Sequence, residues 1–289
     1  MKRLKTPKEE DFRKEVKMLR ELGGKRPHTV KLLTTFRHGL RYCLLFPWAE
    51  CDLLGYWTRD VDKLGGFTPS LIAWVAAQCH GLVEALDWIH NPQSILDHSN
   101  GENLYGRHGD IKPENILWYK QNANGPHPLA SGELVFSDFG LSSLNHKNTR
   151  SKIKNEDIFH TIAYAPPESV LPDGLISRSI DVWALGCVYL EFATWMIGGP
   201  TLVGVFQSER LSPHLGSTIN NDIFWEVQEF EDPVSKSVTH ITVVKPTVQQ
   251  VCKLASHPFP DNIRLTLNQP VGSNSARKTR SHQVHPRLS

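Results

Sequence analysis

Phe12, Val16, Leu19 and Leu22 recur at helical spacing among charged neighbours and predict an amphipathic helix near the start of the chain. Thr6-Pro7-Lys8-Glu9 marks its beginning: a hydroxyl that can cap, a proline suited to the first turn, and a glutamate placed to reach back to the cap amide. Gly23-Gly24 ends it. Glu15 lies angularly among the apolar residues of this helix, and a carboxylate on a face meant for burial requires a cation. Two segments rich in Thr, Val, Leu, Tyr and Phe follow, Thr29 to Phe36 and Arg41 to Trp48. Joined by Arg37-His38-Gly39-Leu40, they predict an antiparallel hairpin.

Thr68-Pro69-Ser70 opens a second, longer helix, with Leu71, Val75, Gln78, Leu82, Leu86 and Ile89 near one face and Asn91-Pro92 as its stop. Ile116 to Tyr119 and Leu134 to Ser137 read as short strands, and the Asn/Gly/Pro-rich run Gln121 to Gly132 as the long loop between them. Asp181 to Trp195 is apolar on nearly every side, the pattern of a helix buried all round. Ile241 to Val244 suggests a strand, and Pro246 opens a helix to about Ser256. Beyond Leu267 there is almost nothing to bury, which predicts disorder. A helix and hairpin followed by a mainly helical body give an α+β fold class, a small mixed lobe on a larger helical one.

Composition narrows the function classes. Lys+Arg 32 against Asp+Glu 30 leaves a net charge of +2, which gives no electrostatic case for a nucleic-acid or membrane partner. The 5 cysteines are scattered and form no CxxC pair, against a disulfide scaffold or a zinc ribbon. Met1-Lys2-Arg3-Leu4-Lys5 lacks the apolar core of a secretory signal, and the mostly apolar stretch Ala184 to Gly198 is too short, and with Glu191 too charged, for a bilayer span. An intracellular protein, of cytoplasm or nucleus, is the expectation.

Four motifs stand in order: His108-Gly109-Asp110-Ile111-Lys112-Pro113-Glu114-Asn115-Ile116-Leu117, then Ser137-Asp138-Phe139-Gly140, then Pro166-Pro167-Glu168, then Asp181-Val182-Trp183-Ala184-Leu185-Gly186. Each is weak alone; their order and intervals are not accidental. On them the chain resembles the eukaryotic protein kinases of the serine/threonine type, in texture those of fungi, from about Lys2 to Phe259.

The resemblance implies transfer of the γ-phosphate of ATP, with Mg²⁺, to a protein Ser or Thr hydroxyl. Phosphoryl transfer depends on positioning and charge neutralisation. Asp110 would then accept the hydroxyl proton, Lys112 would reach the γ-phosphate, and Asn115 and Asp138 would offer hard oxygens to Mg²⁺. Lys2 matches the strand lysine that pairs with Glu15 and holds the α- and β-phosphates. Phe46, Pro47 and Ala49 match the gatekeeper and the hinge, where the carbonyl of Pro47 and the amide of Ala49 would hold adenine; an ordinary strand end fits that spacing equally well. The span from Asp138, Phe139 and Gly140 to Glu168 resembles an activation segment. Its basic run His146, Lys147, Arg150, Lys152 and Lys154 reads as a solvated loop, Thr149 and Ser151 could accept phosphate, and Thr161 matches the threonine that bridges catalytic Asp and Lys. Asp181 would bind backbone amides of the catalytic loop.

The implied domains are residues 1–48, a partial small lobe; 49–259, hinge and helical large lobe; and 260–289, a disordered basic tail. Three departures stand out. Nothing in the sequence before Lys2 supplies the strand pair and Gly-rich loop that roof the phosphates, leaving about three small-lobe strands with an exposed edge. Gly109 replaces the arginine that answers loop phosphorylation, and Glu168 has no convincing arginine partner, Arg264 being the nearest candidate. An active kinase, a pseudokinase that binds without turnover, and a truncated gene model inactive as written all stay open at this level.

Overall fold

The computed structural model describes residues 1–4, 8–61, 66–92, 104–121, 127–146, 162–170, 177–213, 220–231 and 238–255, all within one compact unit. Strand β1 (Lys2–Arg3) precedes helix α1 (Glu9–Glu21). Val16, Leu19 and Leu22 are buried and Phe12 stacks on Tyr42 with ring centroids 4.4 Å apart. The N-cap is Lys8, without a side-chain cap bond, and Thr6 and Pro7 lie outside the described residues. Glu9 Oε1 accepts from Arg13 Nη2 at 2.6 Å, an i,i+4 pair along the helix; the expected bond to the Thr6 amide lies outside the described residues. At the other end Gly23 N–H donates to the Leu19 carbonyl (3.0 Å), and Gly24, at φ +66°, turns the chain.

The hairpin is β2 (Thr34–His38) and β3 (Arg41–Leu45), closed by Gly39 at φ +60°. β1 pairs with the far edge of β3, giving an antiparallel sheet of order β1-β3-β2. The first strand is shorter than its composition predicts because residues 28–30 pair elsewhere. Val30 N–H donates to Phe136 O (2.9 Å) and Phe136 N–H to His28 O (2.8 Å). That bridge ties the segment after α1 to the strand that carries Phe136.

A two-residue strand β4 (Cys51–Asp52) leads into the short helix α2 (Leu53–Trp57), capped by Asp52 accepting from Gly55 N–H at 2.7 Å. Helix α3 (Pro69–His90) starts where the Thr-Pro signal placed it, with the Thr68 hydroxyl accepting from Leu71 N–H, and ends at Asn91. All six residues on its expected inner face are buried, Gln78 included, whose Oε1 accepts from Leu134 N–H at 2.8 Å. Strands β5 (Leu104–Arg107), β6 (Ile116–Tyr119), β7 (Glu133–Phe136) and β8 (Ser143–His146) form two small antiparallel sheets, β4-β6-β7 and β5-β8. The ribbon β5-β8 had no sequence signal; it sets both ends of the 108–142 stretch side by side.

Helix α4 (Ser179–Glu209) is longer than the expected Asp181 to Trp195 and is interrupted at Gly198 and Gly199 (φ +66°), just before Pro200. It is not buried all round, since Val182 is 59% exposed. By length and composition it could cross a bilayer, yet here Leu185, Val188, Phe192 and Trp195 form the protein core. Tyr56 is the hub of that core: its ring meets Trp118 edge-on at 4.9 Å and Trp195 at 5.3 Å, and its buried hydroxyl donates to Leu129 O. Strands β9 (Ser212–Pro213) and β10 (Asn220–Asn221) pair, and β11 (Trp225–Glu231) pairs with β12 (Val238–Val244) before helix α5 (Pro246–Ala255). The expected strand at Ile241 to Val244 is thus the end of a hairpin whose first strand the sequence reading missed. The expected tail, 260–289, lies outside the described residues.

Candidate active site

The segment between β5 and β6 is folded by its own backbone chemistry. Pro113 opens a single 3₁₀ turn, Pro113–Asn115, whose carboxamide points back: Asn115 Nδ2 donates to both the carbonyl and Oδ2 of Asp110, each at 2.8 Å. Lys112 Nζ lies 3.1 Å from the same Oδ2. Asp110, Lys112 and Asn115 therefore form one hydrogen-bonded set.

Beneath this set Asp181 acts as a fastener. Its carboxylate is almost fully buried and accepts from His108 N–H (2.8 Å), Gly109 N–H (2.8 Å) and His90 Nε2 (2.9 Å). Burial alone would raise this carboxyl, but the His90 hydrogen bond, the neighbouring imidazoles and the Gly109 amide hold it below the usual range. The amide contacts are those expected of Asp181; His90 is an addition the sequence reading missed. His108 is buried, which lowers its pKa. Its Nδ1 accepts from Asp110 N–H, so Nε2 carries the proton and donates to Ser137 O at 3.0 Å.

Gly109 has φ +85°, and a Cβ there would sit 2.8 Å from the Leu141 carbonyl. The backbone, then, excludes the arginine of the family pattern. Replacing Gly109 by Ala, or by that Arg, should cost about 1–3 kcal/mol of stability. Urea denaturation would read this as a lower midpoint at unchanged slope; an unmoved midpoint would contradict the contact.

The second set is built from three distant elements. Lys2 Nζ, on β1, lies 2.7 Å from Glu15 Oε1 of α1 and 2.6 Å from Asp138 Oδ1 after β7. Asp138 takes a left-handed backbone (φ +60°) and its Oδ1 also accepts from Gly140 N–H. That turn drives Phe139 into the core, with its ring 5.1 Å from the His108 ring, so the two sets share a wall. Burial works against the Lys2 ammonium, but the two carboxylates raise its pKa. Burial likewise raises Glu15, whereas Lys2 and the Gly140 amide outweigh burial at Asp138 and hold it low. Among the described residues no hydrogen bond engages Asp138 Oδ2 or Asn115 Oδ1; these are hard oxygens of the kind that suits Mg²⁺.

Phe46 follows β3 half-buried, Pro47 is exposed and Ala49 half-buried. The Tyr119 hydroxyl approaches the Pro47 carbonyl at 3.5 Å, and Glu50 N–H donates to Trp118 O, fixing this connection to β6. Glu168 meets no cation among the described residues; its Oε1 accepts from the Ser179 hydroxyl at 3.0 Å. Thr161, Thr149, Ser151, Lys147, Arg150, Lys152, Lys154 and Arg264 lie outside the described residues, and the side chain of His146 is likewise not described.

A strand lysine bridged to a helix carboxylate and to a second carboxylate, beside an Asp/Lys/Asn set, defines an α+β protein of the protein-kinase-like kind. Residues 1–214 match the family model described as protein kinase domain, and the chain belongs to that family. It is 28% identical over 181 residues to cyclin-dependent kinase-like 4 of Mus musculus, covering 63% of this chain and 43% of that protein. It is 27% identical over 260 residues to the CTD kinase subunit alpha of Schizosaccharomyces pombe, covering 85% of this chain and 38% of the relative. The serine/threonine-protein kinase ksg1 of the same yeast is 27% identical over 250 residues, 83% of this chain and 36% of its own. The chain spans less than half the length of these relatives.

Proposed function

We propose that the protein is an ATP-dependent protein serine/threonine kinase, acting inside the cell. The observation that carries this reading is the meeting of Lys2, Glu15 and Asp138 within hydrogen-bond distance, across a wall shared with Asp110, Lys112 and Asn115. In this reading residues 1–48 are the small lobe, 49–259 the hinge and large lobe, and the nucleotide base lies against Phe46, Pro47 and Ala49.

Lys2, held by Glu15, would donate to the α- and β-phosphates of ATP. Asn115 and Asp138 would hold Mg²⁺, which when bound supplies positive charge to the phosphate oxygens. Asp110 would orient the acceptor hydroxyl and take its proton through the carboxylate that Asn115 now hydrogen-bonds. Lys112, on the same carboxylate, would stabilise the charge of the transferring group; a lysine at this place supports Ser/Thr rather than Tyr as acceptor. Asp181 and His108 would take no proton, since they serve to hold the loop.

The test is thermal denaturation of the whole chain with and without Mg·ATP, paired with transfer of label from γ-labelled ATP to a basic protein. A ligand at about a hundred times its Kd stabilises by about 2.7 kcal/mol, so the melting temperature should rise by several degrees. The rise should be lost in Asp138→Asn. No shift in the wild type at millimolar Mg·ATP would overturn the nucleotide reading, and label on Tyr rather than Ser or Thr would overturn the acceptor.

A further inference from the structure

Glu168 lacks a guanidinium partner among the described residues, yet the protein buries a guanidinium elsewhere. Arg210, directly after α4, is 0% exposed. Its Nη2 donates to Glu191 Oε1 at 2.7 Å and its Nε to Asp222 O at 3.0 Å. The guanidinium lies between the rings of Phe206 (4.1 Å) and Phe224 (4.0 Å), and Lys245 Nζ donates to the Arg210 carbonyl. Glu191, itself buried on α4, gives its second oxygen to the Tyr164 hydroxyl at 2.8 Å. Burial and the Glu191 carboxylate push the Tyr164 phenol up, so it remains a donor at any working pH. One residue on, Ala165 O accepts from Trp225 Nε1 of β11 at 2.9 Å.

Two bonds, one part-buried and one buried, thus grip consecutive residues, Tyr164 and Ala165, and both trace to one packed unit: Phe224 touches Arg210, and Trp225 follows it. Residues 220–231 and α5 lie past the 1–214 match to the family model. Tyr164 closes the turn Ile162–Tyr164, which continues directly from Thr161. Without Arg210, Glu191 would be a buried carboxylate with a phenol as its one donor, and the cheapest relief is to move towards water, taking Tyr164 along.

We propose that Arg210 is a positioning residue for the acceptor-protein side of the site, holding residues 162–165 in place through Glu191 and Tyr164. Its catalytic consequence rests on the kinase reading above; its structural consequence does not. The guanidinium takes over the anchoring that Glu168 lacks, through Glu191 and Tyr164.

Two measurements on the full chain separate these parts. Amide hydrogen exchange across 162–170 should quicken about tenfold in Arg210→Met, and also in Tyr164→Phe, which keeps the Arg210–Glu191 pair. Exchange at 134–140 should be unchanged in both. In the transfer assay, KM for the acceptor protein should rise about tenfold in Tyr164→Phe while KM for ATP stays fixed, and Arg210→Lys should recover part of what Arg210→Met loses. If Arg210→Met does not fold, Tyr164→Phe decides alone. Unchanged exchange at 162–170 in Tyr164→Phe overturns the anchor, whatever the activity. Quickened exchange with both KM values unmoved overturns the positioning role. Quickened exchange in the variants, with a wild type that transfers no phosphate, retains the anchor and rejects the kinase reading instead.

Discussion

Asp110→Asn is expected to lower phosphoryl transfer by about three orders of magnitude and leave the fold in place. The size follows from what is removed. A positioned general base contributes about 10²–10⁴ in rate, and an amide at 110 cannot take a proton from the acceptor hydroxyl. The fold should tolerate the change because an amide at 110 keeps nearly the same shape and Asn115 still bonds the Asp110 carbonyl at 2.8 Å, which the substitution retains. The amide would also lose the charge that holds Lys112 at 3.1 Å, so a second contribution, misplacement of that ammonium, adds to the first. Single-turnover transfer of label, with melting curves on the same samples, checks both halves. Equal labelling by wild type and variant would refute the role given to Asp110.

Much of this site was legible because its chemistry is local. Asp110, Lys112 and Asn115 lie within a few residues, and a proline-opened turn brings them together whatever the rest of the chain does. Glu15 was legible for a different reason: helical periodicity put a carboxylate on the apolar face, and a buried charge demands a partner. That the partner is Lys2 came from resemblance, and that Lys2 also reaches Asp138, 136 residues away, came from no pattern at all.

Arg210 shows where reading by composition fails. It follows Gln207-Ser208-Glu209, a stretch that looks like the solvated end of a helix, yet it is 0% exposed. Its surroundings, Phe206, Phe224 and Glu191, converge only once α4 breaks at Gly198 and the chain returns through β9 and β10. The β11 strand was missed because Glu226, Gln228, Glu229 and Glu231 make it look like a charged loop. The clue was alternation, with Trp225 and Val227 two apart. The same limit applies to β5 and β8, four-residue strands whose pairing is set by what they enclose, the loop from His108 to Ser142.

The largest loss of stability should come from Asp181→Ala. Three buried donors lose their acceptor together: the amides of His108 and Gly109 and the ring of His90. Leaving them unpaired, in a site that admits no water to the carboxylate, should cost about 3–5 kcal/mol. For a chain of this size that is roughly a 10 °C fall in melting temperature. The pH dependence has a definite sign. The Asp181 carboxyl is held below its unfolded value, so the native state binds its proton less readily than the unfolded state does. Its contribution is therefore fully present above the unfolded carboxylate pKa of about 4 and is lost as pH falls through the lower folded value. Urea melts should accordingly show a constant gap between wild type and Asp181→Ala from pH 7 to pH 5, narrowing only in strong acid. Asp181→Asn should lie between them, because its carbonyl oxygen can still accept from one of the two loop amides but its amide nitrogen cannot accept from the other. A gap under about 1 kcal/mol at pH 7 would show that the loop carrying Asp110 is held by something other than this carboxylate.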